Sequence, residues 1–219
     1  MAQHQTPSLT ALPARLPLFP LRGALLLPGG ELPLNIFEPR YLAMTQMAMR
    51  SDRLIGMIQP KNEKGALYQI GCAGRITTFS ETDDGRYLIT LRGLCRFKLK
   101  QAELTSDHFY LGDVEWIDTI PVEKDIPTYA PTSCRTKFKK LLDTYLAREN
   151  MKIDWGEALN LPEAKFYTII AMLAPLSPSE KQALLEADDI SARCDMLYNL
   201  LEMAVAETES GDDKNRPVH

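Results

Sequence analysis

The apolar positions of this chain follow no single period, and the points where the period changes divide it into elements. Leu16-Pro17-Leu18-Phe19-Pro20-Leu21-Arg22 and the run from Leu25 through Pro28-Gly29-Gly30 to Pro33-Leu34-Asn35-Ile36-Phe37 are apolar enough for a core and too rich in proline for helix. Each proline fixes φ and withholds an N–H. The reading is therefore short extended segments broken at turns or edges, with Pro28-Gly29-Gly30 as a tight reversal. A helix can begin only after Pro39. From Glu38 to Ser51 the residues are good helix formers, with Tyr41, Leu42, Thr45, Ala48 and Met49 spaced for one buried face and Met44 and Met47 beside it. Phe37 and Tyr41 are assigned to the core, where they lock this helix onto a sheet.

The pattern then shortens to that of strands. Leu54-Ile55-Gly56-Met57-Ile58 is an apolar run closed by Gln59-Pro60 and a polar turn from Lys61 to Gly65. Ile70 to Phe79 is rich in β-branched residues, with Gly71 and Gly74 suggesting a bulge or bend. Asp83-Asp84-Gly85 is a hairpin signal, after which Tyr87, Ile89 and Leu91 alternate with Leu88, Thr90 and Arg92. Cys95, Phe97 and Leu99 alternate with Arg96, Lys98 and Lys100, giving a half-buried strand with a basic outer face. Phe109 to Ile117 reads as one more strand. The first part is thus a β-rich unit with one inserted helix, a small partly closed barrel.

Beyond a connector at 121–131, which holds Pro121, Pro127 and Pro131, no strand pattern appears. Phe138, Leu141, Leu142, Tyr145 and Leu146 share a helical face, as do Phe166, Ile169, Ile170 and Leu173. Ser177-Pro178-Ser179-Glu180 is a capping box with proline at the first helical position. A last helix runs from about Ile190 to about Glu207. The expected organisation is an arm at 1–14, a β-rich subdomain at 15–120, the connector, a helical bundle at 132–207 and a disordered tail at 208–219, in an α+β chain.

Composition narrows the chemistry. A net charge of −4 with interspersed signs argues against a surface built mainly for nucleic acid or anionic lipid. Cys72, Cys95, Cys134 and Cys194 stand far apart with no C-x-x-C pair, so neither a zinc site nor a disulfide framework is suggested. No stretch approaches the roughly 20 apolar residues a membrane span needs, and the expected location is the cytoplasm. Of three histidines only His108, in Ser106-Asp107-His108-Phe109, lies where a site could be built, and a loop histidine of this kind is usually a surface residue. Glu81, Asp83 and Asp84 form an acid cluster around a hairpin turn, where solvation is the ordinary state. There is no G-x-x-x-x-G-K-[S/T], no G-x-S-x-G and no H-E-x-x-H. The expectation is a protein without catalysis, cofactor or metal.

The order of an apolar strand, a Pro-Gly turn, Pro33-Leu34-Asn35-Ile36-Phe37, and a helix ending in Ala48-Met49-Arg50-Ser51-Asp52 resembles the start of the Lon N-terminal domain family. That family includes the substrate-binding domain of the Lon ATP-dependent protease, the similar domain of cereblon, and stand-alone or RING-linked versions. Phe37-Glu38-Pro39-Arg40-Tyr41 is more similar to the stand-alone and RING-linked branch, and Gly71-Cys72-Ala73-Gly74-Arg75-Ile76 looks like the family's glycine-to-basic strand. The resemblance spans about Leu16 to about Met203. It implies a PUA-like β pseudo-barrel followed by a helical bundle, and a role in recognising proteins. The family's serine–lysine dyad lies in a separate domain absent from these residues, so delivery to an attached protease is not implied.

Two functional readings follow. In the first the chain is a protein-recognition module that binds unfolded clients or a partner such as a protease, as an adaptor in proteolysis. Methionine on a helix re-packs around varied partners, which makes Tyr41, Met44 and Met47 the candidate binding residues, although core burial is the commoner fate of such side chains. In the second, PUA-like architecture serves RNA through Arg92, Arg96, Lys98 and Lys100. The acidic balance weighs against it.

Overall fold

The computed structural model describes residues 12–62, 65–117, 132–148, 155–158 and 160–212. Six strands, β1 (Arg15–Pro20), β2 (Glu31–Ile36), β3 (Leu54–Ile58), β4 (Ile70–Glu81), β5 (Tyr87–Leu104) and β6 (Tyr110–Trp116), form one mixed sheet in the order β2-β5-β4-β3-β1-β6, with an additional β5–β6 pairing. The helix α1 (Pro39–Met49) interrupts them between β2 and β3. The chain divides into two compact units, one holding this sheet, α1 and residues 176–186, the other holding the remaining C-terminal helices.

The prolines of β1 do not mark an edge. β1 lies between β3, in parallel, and β6, antiparallel. Leu21 donates to the Ile58 carbonyl, so odd-numbered residues of β1 direct their N–H groups toward β3 and even-numbered ones toward β6. Pairing with β3 opens at Leu18, after Pro17, and pairing with β6 runs only to Leu18, before Pro20. Each proline therefore sits where its missing donor is not required. In β2, which pairs only with β5, the Gly93 N–H to Gly30 carbonyl bond sets the alternation and turns Pro33 toward the open side, where a proline blunts strand addition.

The two strands expected at 87–92 and 95–100 are a single 18-residue strand, β5. A register shift puts Ala73 opposite Cys95 but Gly74 opposite Gly93, so Leu94 is the extra residue of a bulge. The bulge bends β5, whose first part pairs with β2 and whose last part pairs with β6 from Phe97–Trp116 to Leu104–Tyr110. Hydrogen-bonded neighbours thus run β5-β4-β3-β1-β6 and back to β5.

Leu16, Leu18, Leu54, Ile58, Ala73 and Phe97 form one cluster of the buried core. Gly56 and Gly71 leave the room that the Phe97 ring fills; a Cβ on Gly71 would lie 2.4 Å from it. Pro13 and Ala14, expected in a mobile arm, are tied to β6 by the Trp116 indole N–H to Pro13 carbonyl bond and the Val114 N–H to Ala14 carbonyl bond. Residues 1–11 of that arm, the connector and the end of the tail lie outside the described residues.

The helical region is α2 (Thr132–Arg148), α3 (Trp155–Ala158), α4 (Glu163–Leu173), α5 (Pro178–Glu186) and α6 (Ile190–Asp212), which runs past the expected end near Glu207. In the second unit Phe138 gathers Phe166, Tyr167 and Tyr198 around it, with ring centroids 5.3–6.4 Å away. The helix α5 starts at the expected capping box: Ser177 N–H donates to the Glu180 carboxylate and Glu180 N–H to the Ser177 hydroxyl. It belongs with the sheet, however, and so divides the segment 132–207 that the sequence pattern treats as one bundle. The reason is a set of polar contacts that periodicity does not reveal. Buried Gln59 accepts from Gly23 N–H and donates to the Pro178 carbonyl and to Gln182, and Gln182 donates to the Ile70 carbonyl and to Glu186.

Candidate protein-binding surface

The helix α1 starts where the sequence places it, with Pro39 at its first position and Glu38 before it. It buries Tyr41, Met44, Thr45 and Ala48. The Tyr41 ring stacks 4.3 Å from that of Phe19, its hydroxyl approaches the Pro20 carbonyl, and burial pushes that hydroxyl's pKa up. Met44 is fully buried. Of the three candidate residues only Met47, 41% exposed, reaches the surface. Met44 and Tyr41 are core residues that set the position of the helix, and neither offers a free face to a partner.

Phe37, expected in the core, is instead 62% exposed. The reason is strand alternation. Leu32, Leu34 and Ile36 lie opposite Leu91, Ile89 and Tyr87 and are less exposed than Glu31, Pro33 and Asn35. One residue further, Phe37 turns to the side of Asn35. Asn35 faces Leu88, which is 45% exposed and stands opposite Ser80 on its other flank. Leu88 is the second residue missed. The same period of two that buries Tyr87, Ile89 and Leu91 sends Leu88, Thr90 and Arg92 outward, so the signal was in the sequence. Phe79, 42% exposed, lies on the inner side of this sheet end, its ring 5.0 Å from that of Tyr87. The Tyr87 hydroxyl accepts from the Gln46 amide on α1.

A shallow groove opens at the start of α1. One wall is Glu38, Pro39, Arg40 and Ala43; the other is Ser106, Asp107 and His108 of the β5–β6 turn. The turn is tight because Thr105 and Phe109 exchange hydrogen bonds through backbone and hydroxyl, and His108 adopts a left-handed φ of +62°. Arg40 places both Nε and Nη2 on one Glu38 oxygen, at 2.9 and 2.7 Å, and lies 4.5 Å over the Tyr41 ring. Ala43 stands one helical turn before Met47 on α1.

Two residues of the RNA reading are engaged within the fold. Arg96 donates to the Leu185 carbonyl at the end of α5, and Lys100 is paired with Glu115, whose pKa is lowered chiefly by that hydrogen bond. Asp84 of the acid cluster takes a hydrogen bond from Thr82, which holds its pKa down, and pairs with Arg86. His108 is exposed on its turn. Among the described residues no group of three or more His, Cys, Asp or Glu is placed to hold a metal ion, and no helix is long and apolar enough to cross a membrane.

Residues 15–203 match the family described as the ATP-dependent protease La (LON) substrate-binding domain. Curated relatives include the Lon protease of Anaeromyxobacter dehalogenans (strain 2CP-C), 26% identical over 87% of this chain and 23% of its own length. Lon protease 2 of Myxococcus xanthus is 27% identical over 87% of this chain and 24% of its own length. The chain thus spans about a quarter of the curated relatives it matches. Among solved structures, a Lon N-terminal domain protein from Xanthomonas campestris is 29% identical, with a TM-score of 0.59 over 84% of this chain and 96% of that one. The N-terminal domain of a Mycobacterium avium complex Lon protease has the same fold, with a TM-score of 0.59 at 16% identity, covering 88% of this chain and 98% of that one.

Proposed function

Because this chain belongs to the family of the ATP-dependent protease La (LON) substrate-binding domain, we propose that it recognises unfolded or partner proteins, without catalysis of its own, as an adaptor in proteolysis. The matched family is the substrate-binding part of the protease, and the sequence holds no P-loop. We place its action in the cytoplasm and describe its sheet as a PUA-like pseudo-barrel, a reading supported by the β5–β6 pairing, with a helical bundle after it.

The observation that carries the proposal is apolar surface held on a rigid frame. Phe37, Leu88 and Met47 are exposed within or beside elements whose other faces are buried. Singly exposed apolar residues are ordinary; here Leu88 faces outward on β5, Phe37 directly follows the β2 residues that pair with that strand, and Met47 stands on α1 one turn after Ala43 of the groove. Tyr41 and Met44 act from beneath by fixing α1, and Met47 makes contact. The RNA reading is not favoured, since Arg96 and Lys100 are already engaged within the fold.

Burying a whole phenylalanine side chain is worth about 1.5–3 kcal/mol. With 62% of Phe37 exposed, Phe37→Ser should cost about 1–2 kcal/mol of client binding, a five- to thirty-fold rise in Kd. Titration of a labelled, chemically denatured protein into wild type, Phe37→Ser, Leu88→Ser and Met47→Ser tests this, with thermal melts to establish folding and RNA as a competitor at physiological salt. Weakened binding in folded variants and poor competition by RNA are expected. Undiminished binding by all three folded variants would overturn the proposal.

A further inference from the structure

The groove at the start of α1 has an asymmetry that its lining residues reveal. Its apolar lining is Pro39 and Ala43. Its charges do not cancel. Arg40 is neutralised by Glu38, which takes both its Nε and Nη2. Across the groove Asp107 is exposed, and among the described residues no hydrogen bond or ion pair engages its carboxylate. With histidine counted as neutral, Asp107 is the single uncompensated charge on the lining. The tight turn holds it there, because the bonds between Thr105 and Phe109 leave the Asp107 side chain no part in closing the loop.

We infer that this groove selects client segments in which a bulky apolar side chain, seated against Pro39 and Ala43, is adjacent to a lysine or arginine that meets Asp107. This deepens the protein-recognition reading and rests on it. The apolar contact supplies affinity, since Pro39, Ala43 and the Arg40 stem offer surface that water solvates poorly. The charge supplies choice. A cation beside the anchor is attracted by Asp107, whereas an acidic neighbour meets Asp107 with no free cation on the lining to compensate it.

The test uses the whole purified chain and two short labelled peptides identical except for lysine or glutamate beside a central leucine, read by fluorescence anisotropy. Exposed ion pairs are weak, so the lysine peptide should bind wild type about two- to five-fold more tightly at low ionic strength, with the preference shrinking as salt is added. Asp107→Asn should erase the preference and Asp107→Lys should invert it; the position is exposed and both substitutions leave the turn's bonds intact. Ala43→Gln, which fills the groove from α1, should weaken both peptides. Equal binding of the two peptides by wild type, a lysine preference that survives Asp107→Lys, or no effect of Ala43→Gln would each overturn the inference. A denatured client that still binds in those cases leaves the protein-recognition reading standing; failure of wild type to bind any client or peptide takes down both.

Discussion

Gly93→Ala should be among the most damaging single-methyl additions to this protein, and its size can be worked from the surroundings. A Cβ at Gly93 would lie 2.1 Å from the Leu27 carbonyl oxygen, 2.8 Å from the Leu27 carbonyl carbon and 3.3 Å from Pro28 N, all backbone atoms. An ordinary carbon-to-oxygen contact is about 3.3 Å, so the 25–28 loop would retreat by about 1.2 Å. It is not free to do so. Gly29 N–H donates to the Gly93 carbonyl and Gly93 N–H to the Gly30 carbonyl, both at 2.9 Å, and Leu25, Leu26 and Leu27 are buried. Losing the two hydrogen bonds costs about 0.5–1.5 kcal/mol each, and unseating the equivalent of one leucine about 1.5–3 kcal/mol. The expected loss is about 3–6 kcal/mol, a large share of a typical stability of about 5–15 kcal/mol. Urea unfolding followed by circular dichroism measures it, with Gly85→Ala as the control. Gly85 has φ +79° and no atom within 4 Å of an added Cβ, so that substitution should cost only backbone strain, about 1–2 kcal/mol. A Gly93→Ala loss no larger than the control's would refute the close-approach argument.

The remaining predictions concern the helix, the polar clamp and one lysine. Met44→Ala should cost about 2–5 kcal/mol through a core cavity while Met47→Ala changes stability by under about 0.5 kcal/mol; equal losses in chemical denaturation would contradict the orientation of α1. Gln59→Ala and Gln182→Ala should each cost about 1–3 kcal/mol by stranding Gly23 N–H and the Pro178 or Ile70 carbonyl, and a double-mutant cycle should show coupling because the two amides bond each other. Additive losses would mean that α5 is held by apolar packing alone. Lys181 donates to the Gly23 carbonyl, and burial lowers its pKa below the ordinary 10.5. In the window between the lowered folded value and 10.5 the unfolded chain holds more protons, so stability relative to a Lys181→Met variant should rise with pH there. A wild-type advantage that falls through that window in paired pH melts would give the wrong sign.

Local physics determined the elements. Proline spacing excluded helix before Pro39, periods of two and of 3.6 located strands and helices, and the capping box at Ser177 announced α5, because φ restriction, alternation and end-capping act over a few residues. The outward turn of Phe37 and Leu88 was equally local. Phe37, expected in the core to lock α1 onto the sheet, follows its place in the alternation instead. The bulge that joins two expected strands into β5, the seating of β1 between β3 and β6, and the attachment of α5 to the sheet depend on partners far away in sequence, such as Gln59 and Gln182. The same holds for the candidate surface. That Met44 is buried and Met47 exposed turns on which side of α1 meets β1 and β3, and that Asp107 faces Ala43 turns on where the β5–β6 ladder ends. Periodicity carries the amphipathic character of an element. The angle at which it docks is set by long-range packing, and only the tertiary structure decides it.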